Sequence, residues 1–355
     1  MSRVCMLLNS SVSTRFGRTQ MIWVDNARVI AAFAVIFLHV SGQVVVEAEL
    51  GSLSWWIGNI YNSFVRWCIP IFVMVSGSLL LNPEKHEDLI SFYKRRASKI
   101  FVPLVFWTVF YSGWAYAKGI IKEEPVTWLS LGENILLGIP YPHMWFLYML
   151  MGLYLFTPFI GRLVSVLSPK VLSFICILMF IMASASSAIV RLYFPEDRLF
   201  PNVFLLYVPY FVAGYLTSTA NGNRYRRFHS ILVVLFSTAT ALGCFLLSTR
   251  YGLQEGLYFY GYLSITVIPT SLSMFYILMR LNRNPYPVNV KKIAELTLGI
   301  YLIHPIFLDV LQYFGFSVGR FEPIISVPVI TIIVFLLSAI TARIILLIPY
   351  VKRVI

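Results

Sequence analysis

Apolar stretches of about 20 residues recur from one end of this chain to the other. A helix of that length crosses the roughly 30 Å hydrocarbon core of a bilayer. Nothing in hydrocarbon can satisfy a backbone from outside, so only helices and closed barrels cross it. A barrel would show short segments of alternating polarity, and the sequence has none. The chain is therefore expected to be all-α, a polytopic integral membrane protein with about ten transmembrane helices. The expected spans are 23–46, 56–81, 101–118, 143–161, 171–191, 203–220, 229–248, 258–279, 293–314 and 324–349.

Charge fixes the expected orientation. Only 12% of the residues are charged, yet the net charge is +13. In a soluble protein that excess would suggest nucleic acid as a partner. In a membrane protein it retains loops in the cytoplasm. With the N-terminus inside, the inner segments hold 21 of the 28 Lys and Arg and the outer segments seven. Both termini are then cytoplasmic. Residues 1–20 hold Arg3, Arg15 and Arg18 around a short apolar patch, too weak for a secretory signal. They are expected to form a disordered cytoplasmic tail, with 21–355 as a single membrane domain and no appended soluble domain. The four cysteines are scattered and form no CxxC, which supports neither a disulfide framework nor a metal site.

Within this apolar frame, Arg28 and His39 lie eleven residues apart in the first span. At 100° per residue this is about three turns plus 20°, so both share one helix face, with the histidine roughly 16 Å deeper. An intramembrane ionisable residue marks function by default, although a histidine can also simply bond a neighbouring helix. Asp25 can cap the helix start or pair with Arg28, capping being the simpler role.

Further candidates lie in other spans. His304 lies twelve residues past the pair Lys291–Lys292, at nearly the depth of His39. Pro305 follows it and frees a carbonyl four residues back. His304 can be a kink-associated core residue or a member of the same cavity as His39. His143 opens the fourth span beside Trp145, where an interfacial aromatic belt also explains the tryptophan. Lys94, Arg95, Arg96 and Lys99 crowd one inner loop. They read as retention signals or as a phosphate site. Ser76 and Gly77 are small residues in an apolar run, suited to close helix packing.

Together these pieces resemble the family-3 membrane acyltransferases of bacteria. In order they are Asp25, Arg28 and His39; PIFVMVSGSLLL; KRRASKIFVP; HMWFLYMLMGLYLFTP; and LGIYLIHP. Within that family the chain is similar to the short form without an extracytoplasmic domain. The resemblance implies acyl transfer, most simply of acetyl, from cytoplasmic acetyl-CoA to a hydroxyl of a cell-surface polysaccharide or its lipid-linked precursor. It implies a bacterial inner-membrane location and no permanently bound cofactor. It implies donor handling and catalysis by Arg28 and His39, with His39 as general base. It implies CoA binding by Arg95, Arg96 and Lys99, and acceptor binding by His143, Trp145 and His304. His304 is expected to orient the acceptor or to donate to the carbonyl oxygen. The alternative is a transporter or flippase of lipid-linked sugars. Such proteins usually show duplicated halves, and none is evident here.

Overall fold

In a computed structural model the described residues are 2–82, 88–124, 126–193, 203–220, 225–281, 290–316 and 322–355. Side chains are described for these except 2–21, 97, 192, 193 and 281. Lys85, His86, Arg198, Arg224, Arg283 and Arg320 lie outside the described residues.

The described residues form helices and turns and no strand. The longer helices are α1 (Ser2–Glu47), α2 (Leu53–Val65), α3 (Cys68–Leu80), α4 (Leu89–Arg96) and α5 (Val102–Ile121). Next come α6 (Trp128–Leu136), α7 (Trp145–Val166), α8 (Pro169–Tyr193), α9 (Val203–Thr219) and α10 (Arg226–Tyr251). The chain ends with α11 (Leu253–Gly256), α12 (Val267–Leu281), α13 (Val290–Ala294), α14 (Thr297–Tyr313) and α15 (Pro323–Leu347).

Seven stretches are long and apolar enough to cross a membrane: Ile22–Glu47, Leu53–Leu80, Leu89–Ile121, Trp145–Val166, Pro169–Arg191, Arg226–Tyr251 and Pro323–Leu347. The other three expected spans coincide with α9, α12 and α14, of 17, 15 and 17 residues. At about 1.5 Å per residue these reach some 22–26 Å, short of a full hydrocarbon core.

Helix α1 begins at Ser2, ahead of the crossing stretch Ile22–Glu47, and no proline occurs over residues 2–20 to stop it. Asp25 consequently lies inside the helix and caps nothing, leaving the charge of Arg28 as its neighbour. The expected span 56–81 is broken at Arg66 and Trp67, between α2 and α3. Pro70 has no N–H for the carbonyl of Arg66 and suits the first turn of a new helix. The expected span 258–279 becomes helical only at Val267, after a short 3-10 turn over Leu257–Tyr260 and a stretch carrying Gly261 and Ser264.

Helix α1 is the axis of the bundle and packs against α2, α3, α12, α13, α14 and α15. The stretch Pro169–Arg191 is only 17% buried, against 67% for Leu53–Leu80. Its exposed Phe174, Ile177 and Ile181 suit lipid and not water. Helices α3 and α9 cross at closest approach through reciprocal glycines. A Cβ on Gly77 would lie 1.8 Å from the carbonyl oxygen of Phe211, and one on Gly214 2.0 Å from that of Met74. The close packing expected around Ser76 and Gly77 is thus present, with Gly214 as the partner.

Candidate active site

Three histidines from three helical segments meet in the bundle. The rings of His39 on α1 and His304 on α14 are 5.1 Å apart between centroids, and those of His304 and His143 5.6 Å. His143 sits one turn before α7. His304 and His143 are fully buried. His39 is only partly buried.

Proline sets the state of His304. Pro305 cannot continue the ladder to the carbonyl of Tyr301, and Nδ1 of His304 lies 2.7 Å from that oxygen. A carbonyl can only accept, so Nδ1 carries the hydrogen. The neutral ring then has its lone pair on Nε2, which is buried without a hydrogen-bond partner among the described residues. Neutral His304 in this tautomer is therefore an acceptor at Nε2.

Tyrosines enclose His143. Tyr111, Tyr301 and Tyr141 approach its ring at 4.7, 5.4 and 5.9 Å. The Tyr301 hydroxyl donates to the backbone carbonyl of His143, and that of Tyr111 to Leu302. Tyr141 donates to Asp309, which also accepts from Trp114 at 2.8 Å and pairs with Lys118 at 2.6 Å. Burial first, then the Asp309 carboxylate, push the Tyr141 phenol above its ordinary value and keep it a donor. Trp145 stands beside this group, stacked on Tyr262 at 5.7 Å and tilted against Tyr207 at 5.6 Å.

The arginines gather elsewhere. Near the start of the crossing stretch Ile22–Glu47 a cavity of about 540 Å³ is lined by Arg28, Arg95, Arg96 and Arg162, together with Ser76 and Tyr154. The guanidinium of Arg96 lies 5.6 and 5.5 Å from the rings of Phe92 and Tyr154. Arg162 had counted only as a topology signal, because nothing in its local sequence sets it apart. Lys99, expected here, does not line the cavity. It lies exposed in a π-helical turn, Ala97–Phe101, that joins α4 to α5 just before Pro103. The cavity lining ends on α1 at Arg28, three turns short of His39.

Arg66, inside the expected span 56–81, has no role assigned from the sequence. It occupies the break between α2 and α3. Its Nε donates to Asn62 Oδ1 at 2.6 Å and its Nη1 to the carbonyl of Tyr260 at 3.0 Å. Asn62 in turn donates to the carbonyl of Leu38 at 2.7 Å, next to His39. The signal was present as a cation inside an apolar run.

The bundle thus carries a deep histidine cluster and, three turns away along the same helix, an arginine-lined cavity. The family model for an acyltransferase domain, that of acyltransferase family 3, matches residues 21–343. The chain belongs to that family. No curated protein and no solved structure matches it.

Proposed function

We propose that the protein transfers an acyl group, in the first instance acetyl, from cytoplasmic acyl-CoA to a hydroxyl of a cell-surface polysaccharide or its lipid-linked precursor. The placement of four arginines around a cavity near the start of the crossing stretch Ile22–Glu47, with a histidine cluster three turns along the same helix, carries this reading. In it, α9, α12 and α14 also cross the bilayer. The chain then crosses ten times in a bacterial inner membrane, both termini in the cytoplasm.

CoA carries several negative charges and cannot cross a bilayer. Its phosphates would rest among Arg28, Arg95, Arg96 and Arg162, whose guanidinium groups match phosphate geometry. The pantetheine arm would extend along α1 toward His39. A thioester is already activated, so the reaction needs a base for the acceptor hydroxyl and support for the oxyanion. His39, only partly buried, serves as general base. His304 lies beside it as an acceptor that orients the sugar hydroxyl, with His143 and Trp145 on the acceptor side.

Membrane vesicles carrying the native glycan, given acetyl-CoA labelled in the acetyl group, test the reading. Label in the glycan is expected. Intact acetyl-CoA with glycan moved across the vesicle would overturn it in favour of a transporter.

A further inference from the structure

Arg66 is a cation within an apolar run, on the element that faces His39, and every partner it has is neutral. These are the side-chain oxygen of Asn62, the carbonyl of Tyr260, the ring of Tyr260 at 4.0 Å, and the phenol of Tyr262. Among the described residues no carboxylate pairs with it. A guanidinium has five N–H donors in a rigid fork, and the two geometric hydrogen bonds occupy two. Arg66 is only partly buried. Its Asn62 partner bonds both the carbonyl of Leu38 and, at 3.0 Å, the hydroxyl of Ser41. One side chain thus ties Arg66 to the residues that flank His39 on α1.

An intramembrane charge without a counter-ion is costly and marks a place where an anion comes and goes. The CoA phosphates have their own four arginines near the start of the crossing stretch Ile22–Glu47. A sugar hydroxyl is neutral. The anion that forms beside His39 is the one made by the reaction, and neutral His304 offers no hydrogen to it.

We propose that Arg66 stabilises the tetrahedral oxyanion formed when the acceptor hydroxyl attacks the thioester, an inference that rests on the acyl-transfer reading above. The hydroxyl oxygen bonds to the thioester carbon as His39 takes its proton. The carbonyl π pair moves onto oxygen, beside the guanidinium. Collapse restores the carbonyl and breaks the C–S bond. The thiolate leaves and takes the proton from His39, giving the ester and CoA.

The test compares Arg66→Gln and Arg66→Lys with wild type, by acetyl transfer from labelled acetyl-CoA in the same vesicles. Losing an oxyanion donor lowers kcat by about 10²–10³-fold. Arg66→Gln is expected to show that loss with the KM for acetyl-CoA unchanged, and Arg66→Lys an intermediate kcat. A purely structural role would instead weaken acetyl-CoA binding and lower the unfolding temperature. If Arg66→Gln does not fold, Arg66→Lys, which keeps the charge, decides the matter by its kcat at unchanged KM. A kcat within about threefold of wild type in the folded variant overturns the inference. A wild type that transfers nothing fails the acyl-transfer reading itself, whereas active wild type with fully active Arg66→Gln fails Arg66 alone.

Discussion

The imidazole of His304 donates from Nδ1 to the carbonyl of Tyr301, 2.7 Å away, and that carbonyl is available because the next residue is Pro305. A missing backbone hydrogen bond thereby becomes a tautomer lock. It fixes which nitrogen of a buried histidine faces the chemistry as an acceptor.

Pro305→Ala restores an N–H that competes for the Tyr301 carbonyl. A neutral hydrogen bond contributes about 0.5–1.5 kcal/mol, so kcat is expected to fall by up to about tenfold, with the protein still folded. The pH–rate profile should shift as well. An unchanged kcat and profile would detach the proline from the site.

His39→Ala is expected to lower acetyl transfer by about 10²–10⁴-fold, the usual contribution of a general base. Initial rates in vesicles measure it. Near wild-type transfer would remove His39 from the base role.

Arg162→Gln and Arg96→Gln should each raise the KM for acetyl-CoA by about tenfold or more, since bonds to charged groups contribute about 1.5–3 kcal/mol. The acceptor KM should hold. Lys99→Gln, outside the cavity, should leave both constants unchanged. Equal effects from Lys99 and Arg162 would show that the cavity is not the donor site.

Gly77→Ala and Gly214→Ala place a Cβ against a backbone carbonyl across the α3–α9 crossing. Overpacking of this kind costs about 1–3 kcal/mol or more, seen as a lower unfolding temperature in detergent. Gly113→Ala meets nothing within 4 Å and is the matched control. Equal stability of all three would mean the crossing yields.

Reporters fused at each terminus distinguish ten crossings from seven. An even number puts both reporters on the cytoplasmic side. Opposite sides would mean that α9, α12 and α14 do not all cross.

Much of this was legible because hydrophobic length and charge bias act locally. Each expected span has a helix at its position, and Arg28, Arg95 and Arg96 do share one cavity. What escaped depends on contacts distant in sequence. Arg162 becomes a cavity residue only when α7 packs beside α3 and α4. Arg66 drew no role from the sequence because a helix break at Pro70 is not visible in an apolar average. The meeting of His143 with His39 and His304 needed three segments brought together, which spacing along one helix cannot report.

The tyrosine collar around His143 has a consequence for the cell that holds the protein. A histidine that meets solvent from one side of an energised membrane becomes a proton wire if solvent also meets it from the other. Tyr111 and His304 are wholly buried and His143 nearly so, and Tyr141 is held over them by Asp309. The packed rings close that route. If the acceptor is the proposed sugar, it reaches the cluster only when those rings part, so each turnover would briefly open what the collar otherwise keeps shut.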